Sequence, residues 1–382
     1  MGSEMMVSAI FEPEVWARVP FHFWSVAFFV FGSMVGSFLN VCIHRLPLGE
    51  SVVSPPSHCP HCKYSIPWYL NIPLFTWLYL RGRCRNCGAP ITVRYFLVEL
   101  LTAVVFLCCW LAFGPQSAAL ALVYALFLAG LIAATFIDFE HFIIPDEITI
   151  GGIIAGFLSA FLVPQMHQTV SPSDSMKESL LGILLGAGLI YAILRGGKLV
   201  FGRQRLTLPA HTKILFTDTA VVLPDKSIPY EEVFYRRSDT IVMQAHTVEL
   251  VDRCYRDVRV RLSPSVLEIG EEKLNPEKVL HLEAVSGEIV LPREAMGLGD
   301  VKFMAAIGAF LGWQAVIFSL VVSSFIGAVV GGTLVLLKRR GLSSRLPYGP
   351  YIALAAMLWL FAGPQLVAAY RLLILRGLGG GQ

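Results

Sequence analysis

Long uninterrupted apolar runs dominate the chain, and short polar stretches separate them. Eight segments stand out: 21–43, 95–113, 116–137, 148–163, 180–194, 301–311, 314–337 and 350–375. The first carries one ionisable residue, His22 at its edge, and the seventh carries none between Val316 and Leu337. A run of about 18 or more such residues reads as a helix crossing a membrane. The sixth is short, and reads as a helix that starts deep or continues from a loop buried in protein. The pattern predicts an α-helical polytopic membrane protein of about eight transmembrane helices. Between the fifth and sixth segments the composition turns charged and β-branched. Partial alternation over 213–223, 240–250, 257–267 and 278–291, with Pro224, Asp225, Gly270 and Gly287 between, predicts a small cytosolic β-rich domain.

Charge sets the expected orientation. The first run is too long for a cleaved signal, and lacks a basic stretch before it and a small-residue cleavage site after it. Arg45, Lys63, Arg81, Arg83, Arg85 and Arg94 follow it, whereas Glu4, Glu12 and Glu14 face only Arg18 before it. The excess of basic residues in cytoplasmic loops then places the N-terminus outside and the first loop in the cytosol. Alternation puts Asp138–Glu147, the stretch after Arg195 and the loop with Lys338, Arg339, Arg340 and Arg345 inside too. Arg371 and Arg376 run mildly against this. The tail 377–382 reads as disordered. The expected divisions are 1–43, external N-terminus and first helix; 44–94, cytosolic four-cysteine loop; 95–197, helices two to five; 198–293, β-rich domain; and 294–382, the last three helices. A net charge of +3 over 382 residues points to no nucleic-acid partner.

Cys59-Pro-His-Cys62 and Cys84-Arg-Asn-Cys87 form two CxxC pairs separated by 21 residues. Two such knuckles can complete a tetrahedral four-sulfur zinc site, and a cytosolic loop disfavours disulfides. A redox pair is the competing reading. Four sulfurs leave no open position, so the metal is expected to be structural. His61 reads as exposed, and Cys42, Cys108, Cys109 and Cys254 as small core residues.

Acidic residues cluster where apolar segments meet the polar turns. Asp138 directly follows the third segment, Asp146 precedes the fourth, and Asp300 closes Gly297-Leu298-Gly299-Asp300 before the sixth. Ionisable residues at membrane depth are costly and mark function by default. Asp146 reads as a helix cap and Glu140 as part of a solvated turn. For Asp138 alone, headgroup placement and function are equally open. Gly297 and Gly299 would give the backbone at Asp300 unusual dihedrals and close approach. Two carboxyls sharing a site share a proton, so one can draw a proton from water while the other polarises a peptide carbonyl. Glu99 reads first as an ion-pair partner of Arg45 or Arg94, Asn40 as an interhelical hydrogen-bonder, and Gly349-Pro350 as a helix-start turn.

Taken together, Gly36-Ser-Phe-Leu-Asn-Val41, His44-Arg-Leu-Pro47, both CxxC pairs, Asn71-Ile-Pro73, Gly82-Arg-Cys84, Arg94-Tyr95 with Glu99, Ile137-Asp138, Pro145-Asp146, Gly297–Lys302 and Pro347-Tyr-Gly-Pro350 resemble the prepilin peptidase (type IV leader peptidase) family of GxGD aspartyl proteases. The resemblance implies that Asp138 and Asp300 are the catalytic pair, with Gly297, Gly299, Glu99, Gly349 and Pro350 around them. It implies type IV prepilin or type II secretion pseudopilin substrates, with cleavage at the cytosolic face of the bacterial inner membrane. Many members also N-methylate the new terminus from S-adenosylmethionine; the residues neither support nor exclude that here. The chain departs from the family in the stretch 198–293, an insertion of roughly a hundred residues, enough for a small domain. An ion-carrying transporter would instead place acids mid-helix in repeated halves. A scaffold reading would leave the Asp pair without purpose.

Overall fold

The computed structural model describes residues 21–230, 233–234, 239–279, 281–292, 297–337 and 346–379. Glu4, Glu12, Glu14 and Arg18, the basic residues 338–340 and 345, and tail residues 380–382 lie outside them. The helices are α1 (Phe21–Arg45), α2 (Phe75–Tyr79), α3 (Val93–Phe113), α4 (Ala118–His141), α5 (Asp146–Leu162), α6 (Pro172–Phe201), α7 (Leu298–Leu336) and α8 (Gly349–Gly379). Because α8 runs to Gly379, Gly377–Gly379 are helical and do not belong to a disordered tail. The chain divides into two compact units, Met1–Ile190 with Leu298–Gln382, and Tyr191–Gly297.

Among the described residues, five helical stretches are long and apolar enough to cross a membrane: His22–Leu48, Val93–Phe113, Ala118–His141, Pro172–Lys198 and Leu298–Leu336. Asp146–Leu162, at 17 residues, and Gly349–Gly363 are shorter apolar helices. The expected sixth and seventh segments form one run, α7, broken at Gly312 (φ 76°, ψ 178°). An unbroken helix of 39 residues would be about 58 Å long, twice a bilayer core. Instead the chain turns back. Gly299 lies by Ile144 and Gly312 by His167, and the returning half brings Gly327 to Tyr348 and Gly331 to Leu346. Gly349, at the start of α8, lies again by Ile144.

The helix α4 is central. It packs against α1, α3, α5 and α8, and Phe127 stacks on Phe310 of α7 at 4.5 Å between centroids. The Ser117 hydroxyl accepts from Leu120 N–H at its start, and Phe142, left-handed at φ 56°, closes its end. First-half α7 is wedged between α5 and α6. A Cβ on Gly182 would lie 2.1 Å from the Gly308 carbonyl oxygen, and one on Gly308 equally close to that of Gly182. Only glycine permits that approach of two backbones, the packing that substitutes for a hydrophobic drive inside lipid.

The second unit is an eight-stranded antiparallel sheet of β1 (Arg203–Phe216), β2 (Ala220–Leu223), β3 (Lys226–Pro229), β4 (Ile241–Leu250), β5 (Cys254–Leu262), β6 (Leu267–Ile269), β7 (Glu272–Leu274) and β8 (Leu282–Pro292). The order is β3-β2-β1-β8-β4-β5-β6-β7. The last strand therefore stitches two meanders, β1–β3 and β4–β7. Arg203 pairs with Pro292, so entry and exit of the sheet lie side by side. That is the geometry a domain needs to interrupt another chain segment. Buried positions alternate as Leu282, Ala284 and Ser286, then slip by one to Ile289 and Leu291 across Gly287. One core gathers Ile214, Val221, Met243, Val260, Leu267 and Ile289, one from each of the six strands β1, β2, β4, β5, β6 and β8. Each such side chain stabilises by about 1.5–3 kcal/mol on burial.

The strands differ from the sequence expectation in register. Residues 213–223 are two strands joined by a turn at Thr217, whose hydroxyl bonds Ala220 N–H and C=O. Lys226–Pro229 and Glu272–Leu274 are edge strands that the alternation did not reveal, and neither did it reveal the first part of β1, before Lys213. Lys278 lies in a 3₁₀ turn, and β8 starts at Leu282.

Candidate functional site

Asp138 sits one turn before the end of α4 and is buried, 6% exposed. Gly349 N–H donates to its Oδ2 at 2.9 Å. A Cβ on Gly349 would stand 2.8 Å from that oxygen and 3.1 Å from Ile144 Cδ1. The start of α8 thus approaches the carboxyl as only a glycine can, with Pro350 buried behind it. Ile144 is also the neighbour of Gly299, whose Cβ would lie 3.5–3.6 Å from its Cβ, N and O atoms. Gly299 is helical, inside the first turn of α7, where unusual dihedrals were expected, and a Cβ there would make only ordinary contact with Ile144. Gly297 precedes the helix and is exposed.

Asp300 is the third residue of α7 and partly exposed, where the positive end of the helix dipole favours an acid. Two residues on, Lys302 Nζ contacts Asp146 Oδ1 and Oδ2 at 2.6 and 2.9 Å. Asp146 does not cap α5: Pro145 is the cap residue and no side-chain cap bond forms. It instead ties α5 to the GxGD turn, a long-range pairing that local spacing does not reveal. The structure therefore gathers the ends of α4, α5, α7 and α8 around Ile144.

Glu140 pairs with Arg94. Glu99 does not pair with Arg45 or Arg94. Its Oε2 accepts Leu74 N–H at 2.7 Å, while Arg45 donates to the carbonyls of Ser51 and Pro55 at 2.9 and 2.7 Å. A main-chain donor in an irregular loop left no trace in sequence. Asn40 Nδ2 donates to Tyr95 O at 3.0 Å, joining α1 to α3.

The four cysteines come together. Their sulfurs lie within 4.8 Å of one another, with Cys59–Cys87 and Cys62–Cys84 at 3.9 Å. Tetrahedral zinc with bonds of about 2.3 Å requires edges near ~3.8 Å, so the set fits a four-sulfur metal site. The two knuckles repeat one backbone device. Cys59 N–H bonds Tyr64 O as Cys84 N–H bonds Ala89 O, and Lys63 (φ 57°) and Gly88 (φ 71°) take the left-handed turn. The Asn86 amide bonds Cys62 Sγ at 3.6 Å; with the backbone contact at Tyr64, it lowers that thiol to about 6, favouring a ligating thiolate. His61 is exposed. Cys42 and Cys109 are buried, but Cys108 and Cys254 are exposed, on the flank of α3 and at the start of β5, so these two are not core residues.

A bundle of apolar helices with a buried acid held at the start of α8, and a four-cysteine loop before it, defines the class. Residues 30–113 match the model of the Bacterial Peptidase A24 N-terminal domain. Residues 125–206 and 279–332 match that of the Type IV leader peptidase family, with the sheet falling largely in the gap. The chain is 29% identical to the Aeromonas hydrophila Prepilin leader peptidase/N-methyltransferase over 92% of this chain and 95% of that one. It is 45% identical to the Myxococcus xanthus protein of the same name over 42% and 45%. It is 35% identical to a Klebsiella pneumoniae relative, again of that name, over 51% and 83%. The chain belongs to the type IV leader peptidase family. No solved structure matches it.

Proposed function

We propose that this protein cuts the basic leader from type IV prepilins or type II secretion pseudopilins at the cytosolic face of the bacterial inner membrane, using Asp138 and Asp300. The observation that carries the reading is the convergence at Ile144: the buried Asp138 carboxyl held by Gly349 N–H, with the Gly299 turn packed on the same side chain. Family membership and the names of the relatives supply the substrate class.

The chemistry follows from two acids in one site. One carboxylate removes a proton from the attacking water, and the other, protonated, hydrogen-bonds the scissile carbonyl as it becomes an oxyanion. The Gly349 N–H fixes one oxygen of Asp138 and leaves the other to face water and substrate. Asp300, on the first turn of α7, stays accessible from the cytosol. The Lys302–Asp146 pair holds that turn against α5, and so sets the spacing of the two acids. Glu99 acts at a distance, holding the loop at Leu74.

Topology supports the same reading. We count α1, α3, α4, α5, α6, the two halves of α7, and α8 as eight crossings, which returns the C-terminal end of α4 and both ends of the α7 hairpin to one face. Cys59, Cys62, Cys84 and Cys87 would hold structural zinc, which supplies a fixed fold to the loop and no chemistry. N-methylation of the new N-terminus, with S-adenosylmethionine as donor, is a second reading favoured by the relatives' names; no residue here is assigned to the donor. Purified protein incubated with a prepilin and followed by product mass tests both: loss of the leader mass reports cutting, and an added methyl reports transfer. A substrate of unchanged mass would overturn the reading.

A further inference from the structure

Between the two cysteine knuckles the loop turns its apolar side outward. Trp77 is used internally: its ring lies 5.1 Å from that of Phe96 on α3, and its Nε1–H donates to Ile91 O at 3.4 Å. Leu74 N–H is held by Glu99 of the same helix. These contacts fix α2 beside the first turns of α3. The opposite face of α2 then carries Phe75, Leu78 and Tyr79, which are 63%, 58% and 70% exposed, and Trp68 just upstream is 82% exposed. The rings of Phe75 and Tyr79 stack nearly parallel, 9° apart, so the patch is one ordered surface.

A loop facing only water would not present three large apolar side chains on a clamped helix turn, with an exposed tryptophan upstream. The patch has a neighbour that says what covers it. Val93, Leu97, Leu101 and Val104 form an exposed stripe along α3, a helix long and apolar enough to cross the bilayer. That stripe continues from lipid depth to the turn on which α2 is clamped. Exposed Arg81, Arg83 and Arg85 follow the patch in sequence. Tryptophan and tyrosine with flanking arginine is the composition of a membrane–water boundary.

We propose that the segment Trp68–Tyr79 lies in the headgroup–acyl boundary of the bilayer, with Trp68, Phe75, Leu78 and Tyr79 in lipid. The bilayer then anchors the cysteine loop against the membrane from one side, as the knuckles close it from within. This goes beyond the protease reading and does not depend on it.

The test uses full-length wild-type protein in lipid nanodiscs containing a lipid with a photoreactive group near the headgroup, or one with the group at the chain end. After illumination, adducts are mapped by mass spectrometry. Adducts on 68–79 from the headgroup-proximal lipid, with fewer from the chain-end lipid, are expected. The Leu97–Val104 stripe should label from both and serves as the internal control. In parallel, Trp68→Phe should remove a blue-shifted emission component that brominated lipid quenches. A labelled α3 stripe with no adducts on 68–79 would overturn the proposal. So would a Trp68 component that lipid bromine leaves untouched and that only an added prepilin shields; the patch would then be a substrate surface.

Discussion

Two polar regions interrupt the membrane helices, and they are held together by opposite means. The cysteine loop has almost no core. Apart from Arg45, Cys59, Gly82 and Cys84, its residues are half-buried or exposed, and its order comes from four sulfurs, the Arg45 bonds and its clamp on α3. The sheet has a continuous apolar core, with Ile214, Val221, Ile241, Ala245, Val248, Val260, Ala284 and Ile289 wholly buried. A region that buries few apolar side chains within itself needs a metal or a neighbour to fold, whereas a region that buries its own surface does not. The difference also follows the match to the family models. The loop lies within residues matched by a family model, while most of the sheet lies in the gap at 207–278.

This contrast can be broken most sharply at the sulfurs. Cys59→Ser with Cys84→Ser should abolish bound metal and open the loop to protease, because structural zinc contributes on the order of 10 kcal/mol to such folds. The sheet should stay protected. Metal analysis and limited proteolysis of the intact protein check both halves, and a loop unchanged without metal would erase the distinction. Next in size, Ile289→Ala in the middle of β8 should destabilise the sheet by about 2–5 kcal/mol through cavity formation while leaving metal content intact. Proteolysis within the sheet and metal stoichiometry read this out together. Smallest is Lys213→Ala, which removes an exposed pair with Glu283 at 2.7 Å. It should leave the sheet's resistance to protease nearly unchanged, since such pairs are screened by solvent.

A fourth substitution separates both regions from the candidate site. Gly349→Ala puts a methyl where the Asp138 carboxyl now stands, at 2.8 Å. Leader cleavage should fall strongly, with metal content and sheet protection unchanged.

The same contrast explains what could be read in the sequence. Long apolar runs give the bundle, because the bilayer forces every backbone group into helices. The CxxC spacing gives the cluster, because ligand chemistry is local. The β-rich character was legible from alternation, but its edges were not: β3 and β7 are short outer strands with little buried on them. At the site, Asp138, Asp300 and their glycines were visible as motifs. The contacts that pack around them were not. The Gly349 N–H on Asp138, the Lys302–Asp146 pair and the reversal at Gly312 join residues far apart in sequence, and each depends on helix packing that no local pattern encodes. Glu99 shows the same limit, since its partner is a main-chain N–H.

The central claim is that Asp138 and Asp300 act as one pair. Its most direct test is leader removal from a purified prepilin by wild type, Asp138→Asn and Asp300→Asn, each reconstituted in bilayers and followed by product mass. The account predicts product of leader-less mass from the wild type and none from either variant, with both variants inserted and metal-loaded as before. Full cleavage by either asparagine variant would contradict it.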